Sequence, residues 1–118
     1  MAQYDQLPVF KACYDLILII FNTVSSFTKE YKYTIGEKLK NETLEVMILV
    51  YRANSVESKT DLLKEGKEKL EVMRIFLRII RDLKQINLKK FIFINEKIEI
   101  IAKQLNAWQK WASQMKNA

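Results

Sequence analysis

A row of basic side chains between residues 67 and 81 is the part of this sequence best suited to binding chemistry. Lys67, Arg74, Arg78 and Arg81 follow one another at spacings of seven, four and three residues, with mostly apolar residues between the arginines. Side chains three and four residues apart share one face of a helix, where like charges repel each other. Arginine forks match the geometry of phosphate groups, and lysines add point charge. We interpret the row as a phosphate-binding surface that lies opposite the apolar centre of its helix.

Further lysines extend this surface across the next turn and along the following helix: Lys84, Lys89, Lys90 and Lys97. Residues 74–118 carry ten basic and three acidic side chains, whereas residues 1–73 carry ten and eleven. Such asymmetry in a chain of net charge +6 favours a polyanionic partner, most often nucleic acid and less often an anionic membrane surface. Contacts of this kind go mainly to backbone phosphates and weaken with salt. The alternative is a solvated face, softened by Glu71 and Asp82, with no binding role.

The residue types needed for catalysis or metal binding are scarce. The chain has no histidine, which excludes Ser-His-Asp and Cys-His catalysis and the Glu-x-x-His ligands of di-metal bundles. Glu96 and Glu99 lie one turn apart, but Glu99 pairs more simply with Lys103 at the i, i+4 spacing. Gly36 and Gly66 are isolated, so no phosphate-cradling loop exists. We expect no enzyme activity, no metal and no cofactor.

Composition and periodicity predict an all-α fold. Two glycines and one proline in 118 residues are too few for the turns of a sheet protein. Helices are expected at about 8–27, 34–54, 61–85 and 88–113, with a Thr34–Glu37 capping box, Thr60 or Asp61 as the next cap, and Asn87 as the last. Four amphipathic helices joined by short links predict one up-down-up-down four-helix bundle over residues 1–118.

The apolar faces of two helices carry further expectations. On the third helix we place the centre of the apolar stripe at positions 62, 72, 76, 79, 83 and 86, and Met73, Leu77 and Ile80 widen it. Residues 16–28 of the first helix contain no charged side chain. A bundle monomer buries only one broad stripe per helix, so this surplus apolar surface predicts a homo-oligomer.

The first half of the chain also bears on where the protein resides. The longest strictly apolar run, 16–21, is far shorter than the ~20 residues of a membrane span, so no membrane association is expected. A single cysteine, Cys13, cannot form an internal disulfide. Together with the absence of a signal-peptide pattern, this predicts the reducing cytoplasm.

Three stretches resemble one known family: "YKYTIGEKLKNETLEVMILVYRAN" (31–54), "LLKEGKEKLEVMRIFLRIIRDLKQINLKKF" (62–91) and "IAKQLNAWQKW" (101–111). They are similar to the four-helix-bundle Avd proteins, the accessory variability determinants of diversity-generating retroelements. The same family contains proteins encoded by intervening sequences in bacterial 23S ribosomal RNA genes. The most specific pieces are the aromatic-Thr-x-Gly turn before the second helix, the Arg-Ala-Asn that closes it, and "LRIIRDL" (77–83).

The resemblance implies a pentameric barrel of four-helix bundles that associates with the retroelement's reverse transcriptase. It also implies binding to template RNA or complementary DNA in support of mutagenic copying. By motif, Arg74, Arg78 and Arg81 match the family's basic positions on the third helix. The alternative function is a structural bundle of the intervening-sequence type, whose partner is protein alone and which has no reverse transcriptase.

Overall fold

The chain folds into four long helices. The computed structural model describes residues 3–117, and the side chains of residues 3–115. Helix α1 spans Pro8–Ser25, α2 Ile35–Ser55, α3 Thr60–Asp82 and α4 Leu88–Asn117, with no strand among the described residues. Two short helical segments, Tyr4–Gln6 and Lys29–Lys32, precede α1 and α2. The predicted all-α four-helix fold is confirmed.

Consecutive helices pack antiparallel. On α3, Lys67 contacts Gln109 of α4, whereas Arg74, two turns later, contacts Glu99, so the two helices run in opposite directions. Helix α3 also packs on α2, and α1 packs on both α2 and α4. The result is a rod of 51 × 21 × 21 Å with up-down-up-down connectivity, in which each helix has two neighbours.

One apolar core runs along the rod. Branched aliphatic side chains from all four helices fill it, together with one methionine, and the largest fully buried ones are Leu16, Ile20, Leu39, Leu63, Leu70, Met73, Leu77, Ile80, Ile94, Ile98, Ile101 and Leu105. On α4 the buried positions recur at steps of three and four residues, the period of a helix seam. Burial of these side chains is the main stabilising term for the bundle.

The apolar centre of α3 differs from the sequence-based prediction. The side that we placed at the core includes Ile79, which is 41% exposed, while Met73, Leu77 and Ile80 are fully buried. Ile75 and Ile79 are apolar but lie on the outer surface. For this reason the sequence pattern indicated an apolar stripe centred away from the side that faces the core. With 100° per residue, the basic row lies roughly 80° from the core centre. It therefore flanks the core, facing α4, and does not lie opposite it.

Three predicted helix starts have different outcomes. Asn87 caps α4, because its Oδ1 accepts a hydrogen bond from the backbone N–H of Lys90 at 2.8 Å. The capping box at Thr34 is wrong: the Thr34 hydroxyl donates to the carbonyl of Glu30 at 2.7 Å and does not cap α2. Helix α3 begins at Thr60 without a side-chain cap, so that cap prediction is also wrong.

Helix α1 combines high hydropathy with burial. Over Pro8–Ser25 its mean hydropathy is 1.3, and by length and composition it is the one helix of the described residues that could cross a membrane. Its core-facing residues, such as Leu16 and Ile20, pack inside the bundle. A core helix of a helical bundle meets the same length and hydropathy criteria, so this property is weak evidence for a span.

Candidate functional site

The basic row of α3 lies along the groove between α3 and α4, which we call the arginine groove. Two members of the row contact α4. Nη2 of Arg74 lies 2.5 Å from Oε2 of Glu99, and Nη1 lies 3.4 Å from Oε1 of Glu71 on the preceding turn. The Arg74 side chain is only 30% exposed. Lys67 donates to Oε1 of Gln109 at 2.7 Å. Arg74 and Lys67 therefore each form a contact that joins the two helices, while Nε of Arg74 is buried without a hydrogen-bond partner among the described residues.

The other two members of the row remain open to solvent. The Arg81 guanidinium lies over the ring of Phe91 on α4, 5.4 Å from its centroid, and its other face is free. Arg78 is exposed and has no ion pair among the described residues. These two arginines are available to an anion, whereas Arg74 would first have to leave Glu99.

Positive charge concentrates where α3 ends and α4 begins. Between residues 78 and 90 the chain carries five basic side chains and a single acid, Asp82. We call the five basic residues the basic end: Arg78, Arg81, Lys84, Lys89 and Lys90. The link between α1 and α2 reaches the same end of the rod, because the backbone N–H of Thr28 donates to Oε1 of Gln85 at 2.8 Å.

A tight helix terminus holds Lys84 at this end. The N–H of Gln85 binds the carbonyl of Ile80 at 3.0 Å, and the N–H of Lys84 binds the carbonyl of Arg81 at 2.8 Å. This is the Schellman pattern, which places one residue in the left-handed region. That residue is Lys84, with a φ of 61°. Helix α3 therefore ends at Asp82, whereas its sequence pattern had predicted an end at residue 85.

Lys97 does not join the arginine groove. It follows Phe93 by four residues, as Lys90 precedes it by three, and the Nζ atoms of Lys97 and Lys90 lie 5.3 and 5.5 Å from the centroid of the Phe93 ring. With 100° per residue, Phe93 is about 160° around α4 from Phe91, which faces α3. We call Lys90, Phe93 and Lys97 the ring cluster. It lies on the opposite flank of α4, so the eight predicted residues form no single continuous face.

Sequence reasoning missed the role of Phe93. A basic-aromatic-basic spacing of three and four residues is visible in the sequence at positions 90, 93 and 97. The sequence pattern of the last helix, with apolar residues at steps of three and four, predicts that Phe91 and Trp108 belong to its core seam. Both are half-buried, and Trp108 packs against the core. Phe93 is 38% exposed and is therefore the aromatic ring of this region that a ligand can reach.

Two acidic residues near the groove, Glu71 and Glu99, pair with Arg74. The pKa of the Glu99 carboxyl is lowered, chiefly because Arg74 donates a hydrogen bond to it. This cross-helix pair replaces the Glu99–Lys103 pairing expected from spacing. Within the described part of the chain no group of three or more Cys, Asp or Glu side chains could hold a metal ion. Glu96 and Glu99 line a groove cavity of about 320 Å³ together with Arg74.

A larger cleft of about 580 Å³ lies at the opposite end of the rod. The α2–α3 link and the last turns of α4 form it, and its apolar lining includes Val56, Trp111 and Met115. Lys59, also in its wall, donates to the carbonyls of Ala53 and Val56 at 2.7 and 2.5 Å. Its ammonium group therefore closes the C-terminus of α2 and is not free for a ligand.

Comparison with known proteins gives one family. The model of the bAvd-like family matches residues 8–112, a range that contains all four helices up to the last turns of α4. No curated protein matches the chain. The match covers the basic end, the arginine groove and the ring cluster.

Proposed function

This chain belongs to the bAvd-like family, and we propose that it is a non-enzymatic accessory protein of a diversity-generating retroelement. In this role it binds template RNA or complementary DNA through its basic surface. It associates with the retroelement's reverse transcriptase in the bacterial cytoplasm and supports mutagenic retrohoming. No membrane, metal or cofactor takes part.

The observation that supports this proposal best is the concentration of positive charge at one end of the rod. The basic end holds five cations against one acid between residues 78 and 90. Lys29 and Lys32, in the link that Gln85 ties to this end, add to it. A one-signed patch on a protein of net charge +6 attracts polyanions and accelerates their encounter.

The expected contacts are to phosphates and carry little sequence information. Arg78 and Arg81 present exposed guanidinium groups, which form paired hydrogen bonds with phosphate oxygens. Lys84 and Lys89 are exposed and contribute charge. Each phosphate that a cation neutralises releases counterions, so affinity falls as salt rises. Arg74 and Lys67 support this surface by holding α3 against α4.

Homo-oligomerisation is part of the proposal, and an apolar face of α1 and α2 supports it. Tyr14, Leu18 and Phe21 follow one another at spacings of four and three along α1, and all are exposed. Ile48 and Tyr51 of α2 are exposed as well. A monomer rarely leaves so many large apolar side chains on one face. Five copies in a barrel, as the family resemblance implies, would cover it.

The test of the assembly is the mass of the particle in solution. Leu18, at 55% exposed, can be replaced by glutamate without disturbing the core. We expect light scattering to give a pentamer for the wild type and a smaller species for Leu18→Glu, because a charge cannot be buried unpaired. A wild-type monomer at micromolar concentration would contradict this part of the proposal.

Nucleic-acid binding is tested with two charge-matched triple variants. Arg78→Gln/Arg81→Gln/Lys89→Gln removes three cations of the basic end, and Lys64→Gln/Lys103→Gln/Lys110→Gln removes three exposed lysines elsewhere. Both leave a net charge of +3. We expect the first variant to lose at least tenfold in affinity for RNA and DNA at low salt, and the control to lose much less. Equal losses would show that only net charge matters.

The second candidate is a structural bundle that binds protein alone. One observation favours it: Glu71 and Glu99 already neutralise Arg74, so part of the row is a helix-joining device. Copurification of the reverse transcriptase encoded beside this gene distinguishes the two functions. Retention of the enzyme after expression of both proteins together supports the accessory role. The absence of both the enzyme and nucleic-acid binding would favour the structural bundle.

A further inference from the structure

We propose that the ring cluster of α4 is a stacking platform for an unpaired base, so that the ligand of this surface is single-stranded nucleic acid. This inference rests on the proposed function and names its ligand class. The Phe93 ring is partly exposed, and the ammonium groups of Lys90 and Lys97 lie 5.5 and 5.3 Å from its centroid. An aromatic ring between cations is the arrangement with which proteins hold single strands.

The cluster is free of opposing carboxylates. Neither Lys90 nor Lys97 has an ion pair among the described residues. The flank of α4 that bears Phe93 turns away from α3, and the helix on that side is α1. Residues 16–28 of α1 and its link carry no charged side chain. This differs from the arginine groove, where Glu71 and Glu99 would repel a phosphate.

The spacing along α4 fits one nucleotide. Lys90 precedes Phe93 by three residues and Lys97 follows it by four, which is about 4.5 and 6 Å along the helix axis. A base that stacks on Phe93 is attached to a sugar with a phosphate on either side. One lysine can therefore reach each of the two phosphates while the base covers the ring.

The two lysines can leave the ring when a base arrives. At an exposed site each cation–π contact gives about a two- to fivefold preference. Stacking of one base on an aromatic side chain gives about five- to hundredfold, and each displaced ammonium group gains a phosphate. The two displaced contacts together amount to about four- to 25-fold, so the exchange is favourable when the phosphate contacts are added to the stacking.

A single strand fits better than a duplex or a protein partner. The bases of a duplex are already stacked on their neighbours, and pulling one out costs energy. Protein–protein interfaces are depleted in lysine at their centres, whereas the Phe93 ring has a lysine on each side. The large apolar face of α1 and α2, which includes Leu18 and Ile48, has the composition expected for contact between copies.

The test compares two strands and three variants. A mixed-sequence single-stranded RNA is titrated beside a strand of equal length whose sugars carry no bases. The variants are Phe93→Leu, which removes the ring; Phe93→Trp, which enlarges it; and Ile92→Ala as the control, since Ile92 is also exposed but faces the arginine groove. The mass of the particle that each variant forms in solution is measured by light scattering at the same time.

We expect the wild type, Phe93→Trp and Ile92→Ala to bind the base-bearing strand about five- to hundredfold more tightly than the abasic strand. Phe93→Leu should bind both strands equally, at the abasic affinity. A preference that survives in Phe93→Leu would overturn the platform, as would a wild type without any preference. A changed mass for Phe93→Leu would instead assign the ring to an interface between copies. If the wild type binds neither strand, the proposed function fails as well.

Discussion

Arg74 of α3 and Glu99 of α4 form an ion pair across the groove, with Nη2 and Oε2 2.5 Å apart. A single hydrogen-bonded pair thus turns the first arginine of the basic row into a helix-to-helix contact. The groove is consequently less positive than its arginines alone would indicate. The free cations lie further along, at the basic end. Arg74 therefore supports the bundle, whereas the exposed cations of the basic end are available to a ligand.

The pair gives the bundle a pH dependence with a defined sign. The pKa of Glu99 lies below its ordinary 4.5 because Arg74 donates to it. The stability that this pair contributes is therefore present above pH 4.5 and is lost as the pH falls through the lowered pKa. We expect Glu99→Gln to lower the urea midpoint at pH 7, and we expect its difference from the wild type to shrink as the pH falls below 4.5. Glu96→Gln is the control, and an equal effect at pH 7 would contradict the assignment.

The left-handed conformation of Lys84 predicts a stabilising substitution. A side chain at φ 61° crowds the following carbonyl, and glycine avoids this cost. We expect Lys84→Gly to raise the free energy of unfolding by about 1 kcal/mol. Lys89→Gly, which removes the same charge from the first turn of α4, should lower it by up to about 1 kcal/mol. Destabilisation by both variants in urea titrations would refute this prediction.

Gly36 is required by the close approach of α1 to the first turn of α2. A Cβ at this position would lie 2.7 Å from Cγ1 of Val24 and 3.0 Å from the carbonyl oxygen of Tyr31. We expect Gly36→Ala to lower the free energy of unfolding by about 1–3 kcal/mol, because the core is overpacked. At Gly66 the nearest atom is Leu105 Cδ1 at 3.3 Å, so Gly66→Ala should be nearly neutral. Similar losses in the two variants would contradict this account.

Cys13 is a core side chain and not a reactive thiol. It is 1% exposed, and burial raises the pKa of its thiol to about 12. Since the thiolate is the reactive form, we expect no measurable reaction with a thiol reagent at pH 8 in the native protein. Rapid labelling should appear only in denaturant. Rapid labelling of the native protein would show that α1 opens locally.

Much of the fold could be predicted because it depends on repeating patterns. The apolar period of α4 and the Asn87 cap each indicated the position of a helix. The scarcity of glycine and proline favoured an all-helical fold. The rotation of α3 about its own axis, which determines the side that faces the core, could not be predicted from such patterns. Ile75 and Ile79 are apolar yet face outward, and a pattern alone does not distinguish a core side chain from one that a second copy covers.

Sequence patterns singled out candidate residues, whereas their arrangement is visible only in the structure. Charge counting identified Arg78, Arg81 and Lys89, which the structure leaves exposed. It could not show that Arg74 binds Glu99, because the two are 25 residues apart. Lys97 was predicted to extend the arginine surface, whereas it and Lys90 lie against the ring of Phe93, which was overlooked. Partners across helices become visible only when the helices are packed.

The most direct test of the central claim is the salt dependence of single-stranded RNA binding. The slope of log affinity against log salt counts the phosphates that the protein neutralises, at about 0.7 for each phosphate of a single strand. We expect Arg78→Gln/Arg81→Gln/Lys89→Gln to reduce the slope by about two, and Lys64→Gln/Lys103→Gln/Lys110→Gln to leave it unchanged. Equal slopes for the wild type and both variants would show that the basic end does not contact phosphates.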